Sequence, residues 1–319
     1  MESIGNAWLW GGFAGVVIAA LLADLVLMRH GGPHKVGFKE AAWWSIGWVA
    51  LALAFNAGLW TYLRHSAGDA VANRVGLEFL TGYLVEKSLA VDNIFVFLLI
   101  MGYFAVPETL RQRVLVIGVL GAIALRAVMI FAGAALLNQF HWLLYVFGAF
   151  LVFTGIKMWR SAGEEPDLEA NPMLRWMRRH LRLTPAYHGN ALRVERDGRR
   201  WFTPMFAVLV LIAVTDVIFA VDSIPAIFAI TTDPFIVLTS NVFAVLGLRA
   251  MFFLLAGVAD RFHLLPYGLA VILGFIGTKM LVAEWVKIPV PVSLGAVVAI
   301  LAATMVLSVL RPAEGGHGK

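Results

Sequence analysis

The sequence contains no cysteine. Disulfides, thiolate metal sites and thiol redox chemistry are therefore excluded. Charge is scarce as well: Asp, Glu, Lys and Arg make up 14% of the residues, against about 25% in a soluble domain. Polar stretches are few, and the one sizeable example lies at about 161–202. No HExxH pair and no nucleophile–base constellation stands out, so the residues point away from an enzyme. Neither a basic leader nor an A-x-A-like site flanks the opening run "WLWGGFAGVVIAALLADLVLM", and no cleavable signal is expected. The net charge of +5 belongs mostly to loops and does not suggest nucleic acid.

What fills the chain instead is apolar sequence, at 61% hydrophobic residues. This composition predicts an all-α polytopic membrane protein. A spanning helix needs about 20 mostly apolar residues. Nine segments qualify: 7–28, 40–63, 78–102, 113–138, 141–160, 203–231, 236–260, 264–285 and 289–311. Helices are expected because backbone groups in lipid must be paired within the segment. The segments are too long and too uniformly apolar for barrel strands.

Lys and Arg then set the orientation. With the N-terminus outside, the inner side holds Arg29, Lys35, Lys39, Arg111, Arg113, nine arginines from Arg160 to Arg200, Arg261, Arg311 and Lys319. The outer side holds Arg64, Arg74 and Lys287. The positive-inside rule thus predicts an outer N-terminus and a cytoplasmic C-terminus. The basic stretch 161–202 reads as a solvated cytoplasmic linker. Its "NPMLRWMRRHLRL" could alternatively form a short amphipathic helix with Pro172 in the first turn.

The two halves of the chain resemble each other. Glu86 and Asp92 recur as Asp216 and Asp222, both shifted by 130 positions, within "AVDNI" and "AVDSI". "ALRA" around Arg126 matches "GLRA" around Arg249, and "FTGIKM" with Lys157 matches "FIGTKM" with Lys279. The predicted organisation is a two-helix segment (1–77), a first repeat (78–160), the linker (161–202), a second repeat (203–285) and a C-terminal helix and tail (286–319). Each repeat holds three spans, an odd number, so the copies enter the membrane from opposite sides. Inverted repeats of this kind are typical of secondary transporters, whose sites lie near the midplane at the repeat interface.

Ionisable residues at bilayer depth cost at least about 2.5–3.5 kcal/mol on insertion scales and should face partners, water or a site. The candidate metal ligands are Glu86, Asp92, Asp216 and Asp222, with neutral oxygens added by Asn93 and Ser223. Six residues advance a helix by about 9 Å and turn it by about 240°. The acids of each pair therefore belong to different layers, unless the helix is locally unwound. Pro225 makes a kink in the sixth span plausible. Arg126 and Arg249 are expected to neutralise or orient the carboxylates, and Lys87 to pair with an acid. Asp24 is the remaining supporting charge, toward the inner end of the first span. Four carboxylates against two guanidiniums leave a balance that suits a divalent cation. Oxygen donors without Cys or a central His favour Mn²⁺, Mg²⁺ or Ca²⁺ over Zn²⁺ or Cu⁺.

At these residues a resemblance emerges. "LTGYLVEKSLAVDNIFVF" and "DVIFAVDSIPAIFAITTDPFIVLTSNVFAVLGLRAMFFLLAGVADRF" resemble the TerC family over nearly the whole chain. The resemblance implies an inner-membrane protein tied to manganese efflux, with Glu86, Asp92, Asp216 and Asp222 as its acidic motif residues. Mn²⁺ would be the transported substrate and H⁺ a counter-ion. One departure stands out. The family places a Glu three residues before Asp216, where this chain has Ala213. The competing expectation is a non-transporting membrane scaffold for metal delivery or for assembling a stress-response complex, with the acids in structural pairs.

Overall fold

Each apolar segment but one folds as a single helix in a computed structural model of the chain. It describes residues 3–30, 37–140, 142–162, 171–196, 198–256, 264–286 and 288–310, with the backbone alone for 25, 27–30, 91, 92 and 95. The first five helices are α1 (Ala7–His30), α2 (Phe38–Ala67), α3 (Asp69–Tyr103), α4 (Glu108–Gln139) and α5 (Leu143–Ser161). After a short α6 (Pro172–His180) and a hairpin of β1 (Arg193–Arg196) and β2 (Arg199–Phe202), the bundle resumes with α7 (Pro204–Phe228). It closes with α8 (Pro234–Leu246), α9 (Leu248–Ala256), α10 (Leu265–Leu281) and α11 (Val290–Leu310). Six of these helices are long and apolar enough to cross a membrane, and α8 with α9 makes a seventh if counted as one bent span.

Two boundaries differ from expectation for physical reasons. Helix α3 starts at Asp69 rather than 78, directly after Gly68 at φ 89°. Its extra turns carry Asp69, Asn73 and Arg74, which hydropathy alone does not count. Pro225, where a kink was plausible, lies inside α7, which continues to Phe228. It stands only three residues from the helix end, so the backbone bond it forgoes is in the last turn. A bend of 40° separates α8 from α9.

Close packing is concentrated where glycines allow it. Helices α5 and α10 run antiparallel, with Gly148 against Gly277 and Met280, and Gly155 against Ala270 and Gly274. A Cβ on Gly155 would come within 2.8 Å of the Ala270 carbonyl oxygen. Small residues let helix backbones approach in this way in membranes, where lipid supplies no hydrophobic drive for association. On the other side of α3, an aromatic core joins α1, α2 and α8 through Phe13, Phe55, Phe79, Phe235 and Phe243. Asp233 caps α8 by accepting from Phe235 N at 2.8 Å, and also holds the N-terminal segment through Ser3 Oγ (2.8 Å) and Ile4 N (2.7 Å).

Residues 171–202, expected mainly as solvated linker, carry a short helix and a hairpin. Asn171 caps α6 by accepting from Met173 N and Leu174 N, and Pro172 occupies its first turn. One face of α6 buries Leu174 and Met177 against α3 and α7, while Arg175, Trp176 and Arg179 stay exposed. Tyr187 donates to the Phe104 carbonyl at 2.9 Å, and burial pushes its hydroxyl up to about 12. Arg178 donates to Tyr103 Oη at 2.5 Å. The segment is a folded cap on one end of the bundle.

Candidate functional site

Four helices meet at one side chain. Arg126 of α4 is fully buried, 0% exposed, and its guanidinium reaches acids from both halves of the chain. Nη1 donates to Glu86 Oε1 of α3. Nη2 donates to Asp216 Oδ1 of α7 at 3.1 Å, and Nε to Asp216 Oδ2 at 3.4 Å. Nη1 also reaches Asn241 Oδ1 of α8 at 3.4 Å. The rigid fork of a guanidinium makes such a multi-point tie possible, which an ammonium could not reproduce. Two atoms around the tie stay unpaired, Glu86 Oε2 and Asn241 Nδ2.

A second polar group lies where α3 and α7 come together next to α5. Asn93, Asp222 and Ser223 line one small cavity with Leu89, Met158, Phe219 and Leu273. Thr154 of α5 donates to Asp222 Oδ1 at 3.4 Å. The Ser223 hydroxyl is buried without a partner. Asp92 precedes Asn93 on α3, but its side chain lies outside the described residues.

Of the six residues expected to hold a metal, the five whose side chains are described divide into two groups. Glu86 and Asp216 share Arg126, whereas Asn93, Asp222 and Ser223 share the cavity. Helices α3 and α7 run unbroken through both acid positions, so the six-residue spacing does separate the acids of each pair in level and face. Among the described residues no three His, Asp or Glu side chains converge as a metal cluster.

The supporting charges sort differently from the expectation. Arg126 orients two of the predicted carboxylates. Arg249 instead pairs with Asp24 of α1, at 12% and 14% side-chain exposure. Lys87, expected beside an acid, donates to the Ala244 carbonyl at 3.2 Å. Ala244 lies in the last turn of α8, where carbonyls lack helical partners and a cation is favoured by the helix dipole. Lys157 is exposed, and Lys279 donates to Ser293 Oγ at 2.9 Å. Ala213 is half-buried on α7, one turn ahead of Asp216, and brings no carboxylate to the tie.

Thr154 and Asn241 were not anticipated as site residues. Their signal is weak but present: each is a polar side chain within an apolar helix, in "FTGIKM" and "LTSNVFAVL". The Asp24–Arg249 pair carries a direct prediction. Asp24→Asn should cost about 1–3 kcal/mol, the worth of a charge-assisted bond. Exchanging the charges as Asp24→Arg with Arg249→Asp should recover most of that loss. Thermal unfolding in detergent would read both, and a doubly exchanged chain no better than either single change would refute the pairing.

Comparison with known proteins agrees with this architecture. The model of the family described as "Integral membrane protein TerC family" matches residues 71–314. The chain is 56% identical over 308 residues to the Escherichia coli (strain K12) protein described as "Putative membrane-bound redox modulator Alx", covering 97% of this chain and 96% of that protein. An uncharacterized membrane protein of Myxococcus xanthus is 48% identical, over 97% of this chain and 94% of that protein. A Rickettsia felis membrane protein is 39% identical, over 95% and 97%. No solved structure matches the chain. With a family match over most of its length, and relatives alike almost end to end, the chain belongs to the TerC family of integral membrane proteins.

Proposed function

We propose that this protein is a secondary transporter that exports divalent manganese from the cytoplasm across the bacterial inner membrane. The observation that carries the reading is the cavity where α3 and α7 meet. There Asn93, Asp222 and Ser223 bring oxygen donors together, and the Ser223 hydroxyl has no protein partner. Oxygen donors of this kind suit hard divalent cations. Asp92, adjacent to Asn93 in sequence, is the further ligand we assign.

Nine crossings and an inverted repeat give this cavity its setting. Contacts between elements join ends assigned to one side: Asn6 with Tyr62 and Ile4 with Asp233 outside, Tyr187 with Phe104 and Tyr267 with Ala162 inside. The equivalent helices α5 and α10 pack antiparallel, as inversion requires. Arg126 links the equivalent acids Glu86 and Asp216. Sites in such folds lie between the repeats, and alternating access moves one repeat against the other. The N-terminus is then outside and the C-terminus in the cytoplasm.

Moving two positive charges out against an inside-negative potential costs about 4.6 kcal/mol per 100 mV. A counter-ion is therefore required, and H⁺ fits a carboxylate site. The redox modulation in the relatives' description has no cysteine to act through in this chain. One observation favours the alternative of a non-transporting scaffold: the Arg126 tie joins four helices and would serve rigidity as well as transport.

Mn²⁺ uptake into inverted membrane vesicles tests the proposal. The parent chain should accumulate Mn²⁺, and Asp222→Asn should slow uptake at least about tenfold, the equivalent of one lost charged contact. Equal uptake by both would refute the site, and no uptake by the parent would support the scaffold.

A further inference from the structure

One residue lining the cavity is chemically unlike its oxygen donors. Asn93, Asp222 and Ser223 offer oxygen, as does Thr154, which is bonded to Asp222. Leu89, Phe219 and Leu273 offer only carbon. Met158 lines the same cavity and brings a thioether sulfur. It follows Thr154 by four residues on α5 and so shares its face, the face turned toward Asp222. Oxygen donors alone discriminate poorly among Mn²⁺, Mg²⁺ and Ca²⁺, because all three are served by carboxylate, carbonyl and water. A thioether is a soft donor with affinity for d-block cations and almost none for the alkaline earths. With no cysteine in the chain, methionine and histidine are the remaining soft or borderline donors, and among the described residues lining this cavity Met158 is the one present.

We propose that Met158 is a specificity-determining residue, whose sulfur makes the Asp222 cavity prefer Mn²⁺ to Mg²⁺ and Ca²⁺. The proposal rests on the reading of this cavity as the cation's seat. Its repeat counterpart supplies a control. Met280 occupies the matching place in "FIGTKM", yet it packs against Gly148 in the α5–α10 contact. The two copies of the motif therefore put chemically identical side chains to different use: Met158 lines the Asp222 cavity, and Met280 packs against Gly148.

The test is Mn²⁺ binding to the purified full chain in detergent, followed by electron paramagnetic resonance, with Mg²⁺ and Ca²⁺ as competitors. Met158→Leu keeps size and apolarity but removes the donor. It should weaken Mn²⁺ binding and lower the Mg²⁺ concentration needed for displacement, each by about tenfold, the low end of effects from altering a metal site. Met280→Leu should leave the competition ratio unchanged. Met158→Gln, an oxygen donor of similar length, should give the same loss of discrimination if the leucine variant fails to fold. An unchanged Mn²⁺ to Mg²⁺ ratio in folded Met158→Leu overturns the proposal, as does an equal shift in Met280→Leu. No Mn²⁺ binding by the parent chain overturns the cavity reading itself, which separates the two failures.

Discussion

Replacing Arg126 with Ala should destabilise the folded chain by about 3–5 kcal/mol, the range for removing one partner from a buried ionic group. The reason is what stays behind. Glu86 and Asp216 are each almost wholly buried, and Glu86 Oε2 already lacks a partner. Without the guanidinium, two carboxylates face each other in an apolar bundle with no cation between them. The cost is thus desolvation left uncompensated rather than the net worth of the pair. The same logic predicts a rescue. Glu86→Gln with Asp216→Asn, added to the Arg126→Ala background, removes both stranded charges and should restore most of the loss. Chemical unfolding in detergent, followed by tryptophan fluorescence, measures all three chains. If Arg126→Ala unfolds at the parent's midpoint, the tie does not hold the four helices together.

Gly277→Val should cost about 3 kcal/mol, the upper part of the usual range for overpacking. A Cβ at this position would stand 2.6 Å from the Gly148 carbonyl oxygen and 2.9 Å from Val152 N. Both are backbone atoms, which cannot rotate away as a side chain would, so α5 and α10 would have to part along their contact. An internal control lies one turn away on the same helix. A Cβ on Gly274 meets nothing within 4 Å, so Gly274→Ala should be neutral or slightly stabilising through lower unfolded-state entropy. Melting temperatures of the two variants should move apart. A Gly277→Val chain as stable as Gly274→Ala would show that the close approach is not required.

Much of the scaffold was legible in one dimension. Span positions follow from hydropathy because lipid demands about 20 apolar residues in a row and an internally paired backbone. The start of α3 was misplaced because Asp69, Asn73 and Arg74 are helical but polar, and hydropathy does not measure helicity. The cap of α6 and the hairpin was read mainly as solvated chain because its arginines dominate the composition. What holds it, Leu174 and Met177 on one face of α6 and Tyr187 on Phe104, depends on partners about 75–85 positions distant or more. Gly198, at φ 66° before β2, was a local signal available in the residues themselves.

The candidate site divides along the same line. That Glu86, Asp92, Asp216 and Asp222 are candidates could be read from the residues alone, since a charge at bilayer depth is costly wherever it sits. Their separation into two layers also followed from the residues, because six positions on a helix fix a rise and a rotation. Which charge meets which could not be read this way. Arg126 and Arg249 lie in the similar stretches "ALRA" and "GLRA", yet one joins Glu86 to Asp216 and the other turns to Asp24 on α1. Lys87 stands next to Glu86 in sequence but points to the carbonyl end of α8. Sequence by itself determined an apolar helical chain with a repeated acid motif, because those properties are local. Tertiary structure alone decided the pairing, because ion pairs form between helices, and helix packing sets which side chains come within reach.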